Sequence, residues 1–467
     1  MKNINSSKLF IPALFIFYLI FVSVTRLRFI FIDLLILLFY LSHIFKDKMK
    51  ALFIMLIIAL PFEKGLLSIH IQGSLLTLSL PILTMIPLLI LIIKENKIKE
   101  AFTYENIFLL LYLIWSLISL FFNASQDFMG NIIYILFPGF LFLISKNLSR
   151  DKSLRSFITV TLISSLILQL YVGLIQAYFQ NPLRIYFQDL KPHSVFGQST
   201  NENPELFRIM GLTKNPARLA EMITIIFPLL LTELFLGISQ IPLSLITLTL
   251  ISSVIILIFT YVRSSWLIIS FSAVAQCLMY YKKYSLKLKL IRFQKALFTI
   301  LFVLLLLISP QIILRLGSLD LFFHNETSSG TVRIRLLQQS LKVIQNNPII
   351  GIGPGNSSNY YLAQNKNDLY SAIPNITDEV HSFFTQITVN SGIPALIFFI
   401  LFIFSVLKKY FTVYRKLGRK ERIFSTSYFF GISNILIFSL LFPIIYTPNY
   451  NYLFLFLGFL TGYERKD

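Results

Sequence analysis

The sequence predicts an all-α polytopic membrane protein of about 12–14 transmembrane helices, with a long external loop containing an amphipathic helix. Three observations lead there. Of the 467 residues, 56% are hydrophobic and only 13% charged, where a soluble domain carries about 25% charged residues. The mean hydropathy is +0.74. Apolar runs recur from end to end, many close to the ~20 residues a helix needs to cross the hydrocarbon core. A membrane β-barrel would instead show alternating segments of about 10 residues, and runs such as Leu75–Ile93 do not alternate.

Fourteen apolar segments follow in order: 9–25, 27–45, 50–62, 75–93, 106–122, 131–145, 156–180, 217–236, 242–260, 264–281, 296–314, 382–407, 424–442 and 447–462. The third, sixth and last are short, which leaves twelve or thirteen full spans as the alternative. The first follows a basic start, Met1–Lys8, and no small-residue cleavage site precedes Arg26. It is expected to be a retained helix. Cys277, the single cysteine, makes no intrachain disulfide framework. With no internal repeat and no separate soluble domain, residues 1–467 are expected to form one integral membrane domain.

Charge sets the topology. With the N-terminus inside, 27 of the 41 Lys and Arg residues fall on the cytoplasmic side. They cluster at the N-terminus, Lys46–Lys50, Lys94–Lys99, Lys146–Arg155, Lys282–Lys295, Lys408–Arg422 and Arg465–Lys466. Basic clusters beside helix ends orient a membrane protein and favour anionic membrane lipids. They account for most of the net charge of +20, so nucleic acid is not an expected partner. Both termini are expected in the cytoplasm.

Two external loops are too long to be connectors, at about residues 181–215 and 316–381; loops of this length usually carry function or are disordered. The second contains a helical pattern over Thr331–Asn347, with Val332, Leu336, Leu337, Val343 and Ile344 on one broad face. Such a helix should lie against the membrane or the bundle rather than cross it. Pro348 and the glycines Gly351, Gly353 and Gly355 end it in a loop bend.

The groups able to do chemistry collect at the external side. Arg208, Lys214 and Arg218 close the first loop, Arg263 stands between two apolar runs, and Arg333 and Arg335 begin the amphipathic helix. His381 closes the second loop, directly after Asp378 and Glu379. Arginine at the hydrocarbon edge is costly unless paired, hydrated or liganded. Its planar fork matches phosphate oxygens, so several arginines near one cavity suggest a diphosphate. Taken singly, Arg263 fits a snorkelling side chain equally well, and the loop arginines fit a solvated surface. There is no HExxH, no CxxC, no phosphate-binding Gly-rich loop and no Asp-x-Asp pair. A metal-independent reaction on a pre-activated, lipid-linked donor fits this pattern better than use of a nucleotide sugar.

Four segments together resemble the O-antigen ligase and polymerase superfamily of bacterial membrane glycosyltransferases. His381-Ser382, nine residues, then Gly392 is similar to that family's His-[Asn/Ser/Gln]-x9-Gly pattern. Asn347-Pro348-Ile349-Ile350-Gly351-Ile352-Gly353 resembles the turn that follows the family's Arg-containing loop helix. Arg263 in VRSSW resembles its Ser-Arg motif, with Val262 in place of the usual Ser, and Arg208 to Asn215 resembles its Arg-x-x-Gly-x-x-x-Asn segment. These matches cover about residues 205–405, including the loop 316–381.

The resemblance implies an undecaprenyl-diphosphate-linked glycan as donor. It implies lipid A-core, another glycan or a protein as acceptor, and transfer outside the bacterial cytoplasmic membrane without a cofactor or metal. His381 and Arg263 are then the catalytic candidates. Arg263, Arg333, Arg335, Arg208 and Arg218 are candidates for binding diphosphate, with Asp378, Glu379 and Gly392 in support. His381 would orient or deprotonate the acceptor, or bind diphosphate as imidazolium. A ligase is the first expectation and a repeat-unit polymerase the second. A flippase or transporter of lipid-linked sugars is the reading from a different class, and it would place charges and broken helices near the bilayer midplane.

Overall fold

The computed structural model describes residues 41, 47–61, 65–71, 74–94, 103–125, 127–179, 208–213, 215–237, 241–284, 329–357, 360–361, 382–440, 442 and 448–463. The segments expected at 9–25, 27–45 and 296–314 lie outside them, apart from Leu41. Ten of the other eleven apolar segments coincide with helices, and the run 75–93 is helical only from Leu80 on. In chain order the helices are α1 (Lys48–Ala59), α2 (Leu80–Lys94), α3 (Tyr104–Phe122), α4 (Phe128–Leu148), α5 (Lys152–Phe179), α6 (Pro216–Leu236), α7 (Leu243–Phe259) and α8 (Arg263–Tyr284). The loop helix α9 (Ser329–Asn346) precedes α10 (Phe383–Tyr414), α11 (Arg419–Ser439) and α12 (Pro448–Thr461).

The protein is therefore an all-α polytopic membrane protein. Among the described residues, four stretches are long and apolar enough to cross a membrane: Tyr104–Phe122, Phe128–Leu148, Leu154–Phe179 and Phe383–Tyr414. Shorter apolar helices accompany them.

One segment departs from expectation. The run 75–93 is not a single helix, because Gly65–Ile71 (β1) pairs antiparallel with Ser74–Ser79 (β2) before α2 begins at Leu80. The run's apolar character conceals the boundary. Within SLLTLS only Leu76–Ser79 alternates, too short a stretch to mark a strand inside a longer apolar run.

Local chemistry sets several helix ends. Asn215 caps α6 by accepting the Arg218 N–H, Pro216 opens the first turn, and Gly237 closes the helix in the left-handed conformation. Asp47 and Asp127 cap α1 and α4 in the same way.

The helices pack chiefly as α3 along α10, α4 along α12 and α6 along α11. An aromatic seam joins them: Phe399 and Phe402 of α10 meet Phe454 of α12, and Tyr112 of α3 meets Phe399. These rings are buried and tightly interlocked.

The two ends of the bundle differ in which basic side chains they gather. At one end Lys50 pairs with Asp151, and Arg155 lies 3.9 Å over the Tyr463 ring. There Lys146 and Lys409 both bond Glu105, at 3.0 and 2.9 Å. This is the lysine end. The opposite, arginine end carries the starts of α6, α8 and α10 and the loop helix α9. Antiparallel packing places them together. Tyr280 near the end of α8 bonds the Ile423 carbonyl near the start of α11, so Arg263 lies at the same end as the last turn of α11.

Candidate functional site at the arginine end

Arg263 opens α8 after a three-residue link from α7. The link is tight because Tyr261 sits at φ 58°, a left-handed conformation uncommon for a residue with a Cβ. Trp266 braces the corner by donating its indole N–H to the Leu257 carbonyl, at 2.9 Å. Arg263 is left half-exposed, with no hydrogen bond or ion pair among the described residues. The Ser264 and Ser265 hydroxyls beside it are buried without a hydrogen-bond partner there. A helix N-terminus already favours anions, and here it gathers a guanidinium and two free hydroxyls.

Arg208 comes to this corner from the first long loop. Its Nε and Nη2 donate to the Thr260 carbonyl, at 3.0 and 2.8 Å, three residues before Arg263. The Ile209 N–H bonds the Phe259 carbonyl. Part of the Arg208 fork therefore holds the carbonyl end of α7. The rest of its segment is stitched to α5. Gln176 accepts the Met210 and Gly211 N–H groups and donates to the Gly211 carbonyl, and Gln169 accepts the Leu212 N–H. Gly211 sits at φ 60°, and a Cβ there would stand 2.6 Å from the Gln169 Oε1. Each named position of the Arg-x-x-Gly-x-x-x-Asn segment thus has a structural task, ending with Asn215 as the α6 cap. Arg218 in the first turn of α6 lies 3.8 Å from the buried Glu221 carboxylate.

Arg333 reaches the same end from α9. Its guanidinium carbon lies 4.9 Å over the Phe442 ring, just past α11. Burial lowers its pKa from the ordinary value. Arg335 is half-exposed on the next face of the helix. The α9 helix packs its Leu336, Ser340 and Val343 face inward, with Val343 in a small core with Ile352, Tyr361 and Val389. Its Ile334, Leu337 and Leu341 remain exposed.

Gly392 breaks α10. At φ 81° and ψ 172° it is the one non-helical residue inside that helix, and it divides the helix into Phe383–Ser391 and the part from Ile393 on. The turn after α9 fills the break. The Ile393 N–H bonds the Pro348 carbonyl, at 2.8 Å. The Val389 and Asn390 carbonyls accept the Ile352 and Gly353 N–H groups, each at 2.9 Å. The sequence suggested only a loop bend for Gly351 to Gly355. The backbone instead docks into the gap, which a side chain at Gly392 would close by meeting the Ile349 carbonyl.

His381, Asp378, Glu379 and Lys214 lie outside the described residues. Ser382, next to His381, caps α10 in extended conformation without a side-chain bond. The structure thus brings Arg263 and Arg208 to one corner, and places Arg333, Arg335, Arg218 and the Gly392 break at the same end. A cavity of about 20 Å³ beside the break, lined by Tyr112, Ser116, Asn390 and Tyr450, has room for roughly one water. A larger concave surface lies on the C-terminal half of α10 around Phe404, Lys408 and Phe411, toward the lysine end.

Fold and site define a polytopic membrane protein with one arginine-rich, helix-terminal face. Residues 248–400, about a third of the chain, match the family model of the O-antigen ligases. That region contains Arg263, Arg333, Arg335 and Gly392, and it makes the chain similar to the O-antigen ligase/polymerase superfamily, a glycosyltransferase-like class. No curated protein matches the chain.

Proposed function

We propose that the protein transfers glycan from an undecaprenyl-diphosphate-linked donor to an acceptor hydroxyl, at the outer face of the cytoplasmic membrane, as a ligase. One observation carries the proposal. Arg263, half-buried and without a partner among the described residues, stands at a helix N-terminus beside two unpartnered serine hydroxyls, inside the region that matches the O-antigen ligases.

The chemistry follows from charge. The acceptor oxygen attacks the anomeric carbon and forms the new C–O bond, while the bond from that carbon to the diphosphate oxygen breaks. The acceptor proton leaves to a base, and the bond electrons leave with the lipid diphosphate. Negative charge grows on the leaving group, so fixed cations aimed at it stabilise the transition state more than the ground state. Arg263 is the first such cation, and Arg333 or Arg335 from α9 the second. Arg208 and Arg218 add positive potential while holding the scaffold. His381 orients or deprotonates the acceptor, or binds diphosphate as imidazolium, with Asp378 or Glu379 holding its other nitrogen.

The broken helix does not favour a transporter. In discontinuous transporter helices, freed carbonyls line an ion or substrate path. Here the carbonyls at the break are bonded to the turn after α9.

The test is transfer by purified protein, given undecaprenyl-diphosphate oligosaccharide with and without candidate acceptors, read on a gel. A single shifted band that needs acceptor is the expected result. A ladder from donor alone makes the protein a polymerase. Donor crossing liposomes without product overturns the enzyme reading. His381→Ala is expected to abolish product at equal protein content.

A further inference from the structure

The turn after α9 is held by α3, a helix that carries none of the candidate catalytic groups. Trp115, Ser119 and Asn123 recur at four-residue spacing and so share one face of α3. Each meets one of three consecutive carbonyls of the turn. The Trp115 indole donates to Ile349 at 3.1 Å, the Ser119 hydroxyl reaches Ile350 at 2.5 Å, and the Asn123 amide reaches Gly351 at 3.4 Å. The Ser119 hydroxyl also lies 2.8 Å from the Asn390 carbonyl, at the break itself. Asn356 closes the lattice by donating to the carbonyls of Asn123 and Ile352.

We propose that this row is a clamp that positions the outer half of α10, and with it the residues at its N-terminus, for transfer. The reason lies in the break. A continuous helix would fix Phe383–Ser391 through its own backbone ladder, but Gly392 interrupts that ladder. The direction of the outer half is then set by what fills the gap, which is the turn, and the turn is seated on α3. Ser119 is the centre of the device, because it is fully buried and its one hydroxyl proton lies between a carbonyl of the turn and one of the broken helix. These are positioning residues and touch no reacting atom. The clamp's catalytic purpose rests on the transfer reaction proposed above, while its geometry does not.

The experiment keeps the two apart. In a Cys277→Ala background, Ser382→Cys reports the outer half of α10 through its labelling rate with a membrane-impermeant maleimide, with no need of donor or acceptor. Ser119→Ala and the double variant Ser119→Ala/Asn123→Ala are compared with Ser119→Thr, which keeps the hydroxyl. Transfer is measured in the same variants with Ser382 intact. A clamp predicts a labelling rate changed several-fold. It also predicts kcat lowered by roughly ten-fold with donor KM little moved, and recovery in the Thr variant. Unchanged labelling and unchanged kcat in the folded double variant overturn it. So does a loss of kcat that tracks only the amount of folded protein. Asn123→Ala alone, on a less buried residue, keeps the test open if Ser119→Ala does not fold. Changed labelling with no transfer even by the unsubstituted protein sustains the clamp and removes the transfer reaction.

Discussion

At Gly392 two demands meet: a left-handed φ of 81°, and a neighbouring carbonyl where a side chain would begin. Gly392→Ala must therefore either strain the backbone or expel the turn. Strain of this kind costs about 1–3 kcal/mol, and the steric clash adds to it. The thermal midpoint in detergent should fall accordingly, and transfer should fall further than folded protein does. The sequence marked Gly392 as a motif position but gave no reason for it, because the turn that fills the break lies some forty residues earlier in the chain. Arg208 shows the converse. Its charge stood out in the sequence, yet its bonds to the Thr260 carbonyl could not be foreseen from a residue 52 positions away.

Secondary elements were legible where apolar runs were long and uniform, as in α3, α5 and α10, while α4 proves longer than the short run 131–145 expected for it. The β1–β2 hairpin was not legible, because the four alternating residues Leu76–Ser79 disappear inside the apolar run 75–93. Rows of polar side chains on apolar helices are equally hard to read, because each residue alone looks like a tolerated exception in an apolar run. Gln169 and Gln176 hold the Arg208 segment, and Trp115, Ser119 and Asn123 hold the turn after α9. Their signal is present in the sequence as polar residues at intervals of four or seven within an apolar helix, where unpaired polar groups are expensive. Gln176→Ala leaves two buried N–H groups and a carbonyl without this partner. A loss of about 1–3 kcal/mol is expected for each group left unsatisfied in a buried setting. The midpoint of thermal unfolding checks this, and Gln176→Glu, which keeps the acceptor, should recover part of it.

Among the described residues, basic side chains collect at both ends of the bundle. Lys50, Lys146, Arg155 and Lys409, four of those the topology rule groups together, lie at the lysine end, where Glu105 is buried between Lys146 and Lys409. Glu105→Gln leaves the buried Lys146 ammonium and the partly buried Lys409 ammonium without their counter-charge. Breaking a buried pair in this way costs about 3–5 kcal/mol. The variant should melt earlier, while its transfer rate per folded molecule stays near that of the unsubstituted protein, since Glu105 is at the end opposite Arg263. Labelling of single cysteines in sealed cells provides the orientation. Residues at the arginine end should react with impermeant reagent from outside, and those at the lysine end only after permeabilisation.

The most direct measurement is single-turnover glycan transfer by purified protein carrying Arg263, Arg263→Lys or Arg263→Ala. Losing a fixed donor to developing negative charge lowers kcat by about 10²–10³-fold in comparable sites. A loss of that order is predicted for the Ala variant, with an intermediate rate for Lys, which retains charge but not the fork. Equal rates in all three, at equal folded protein, would contradict a role for Arg263 at the leaving diphosphate.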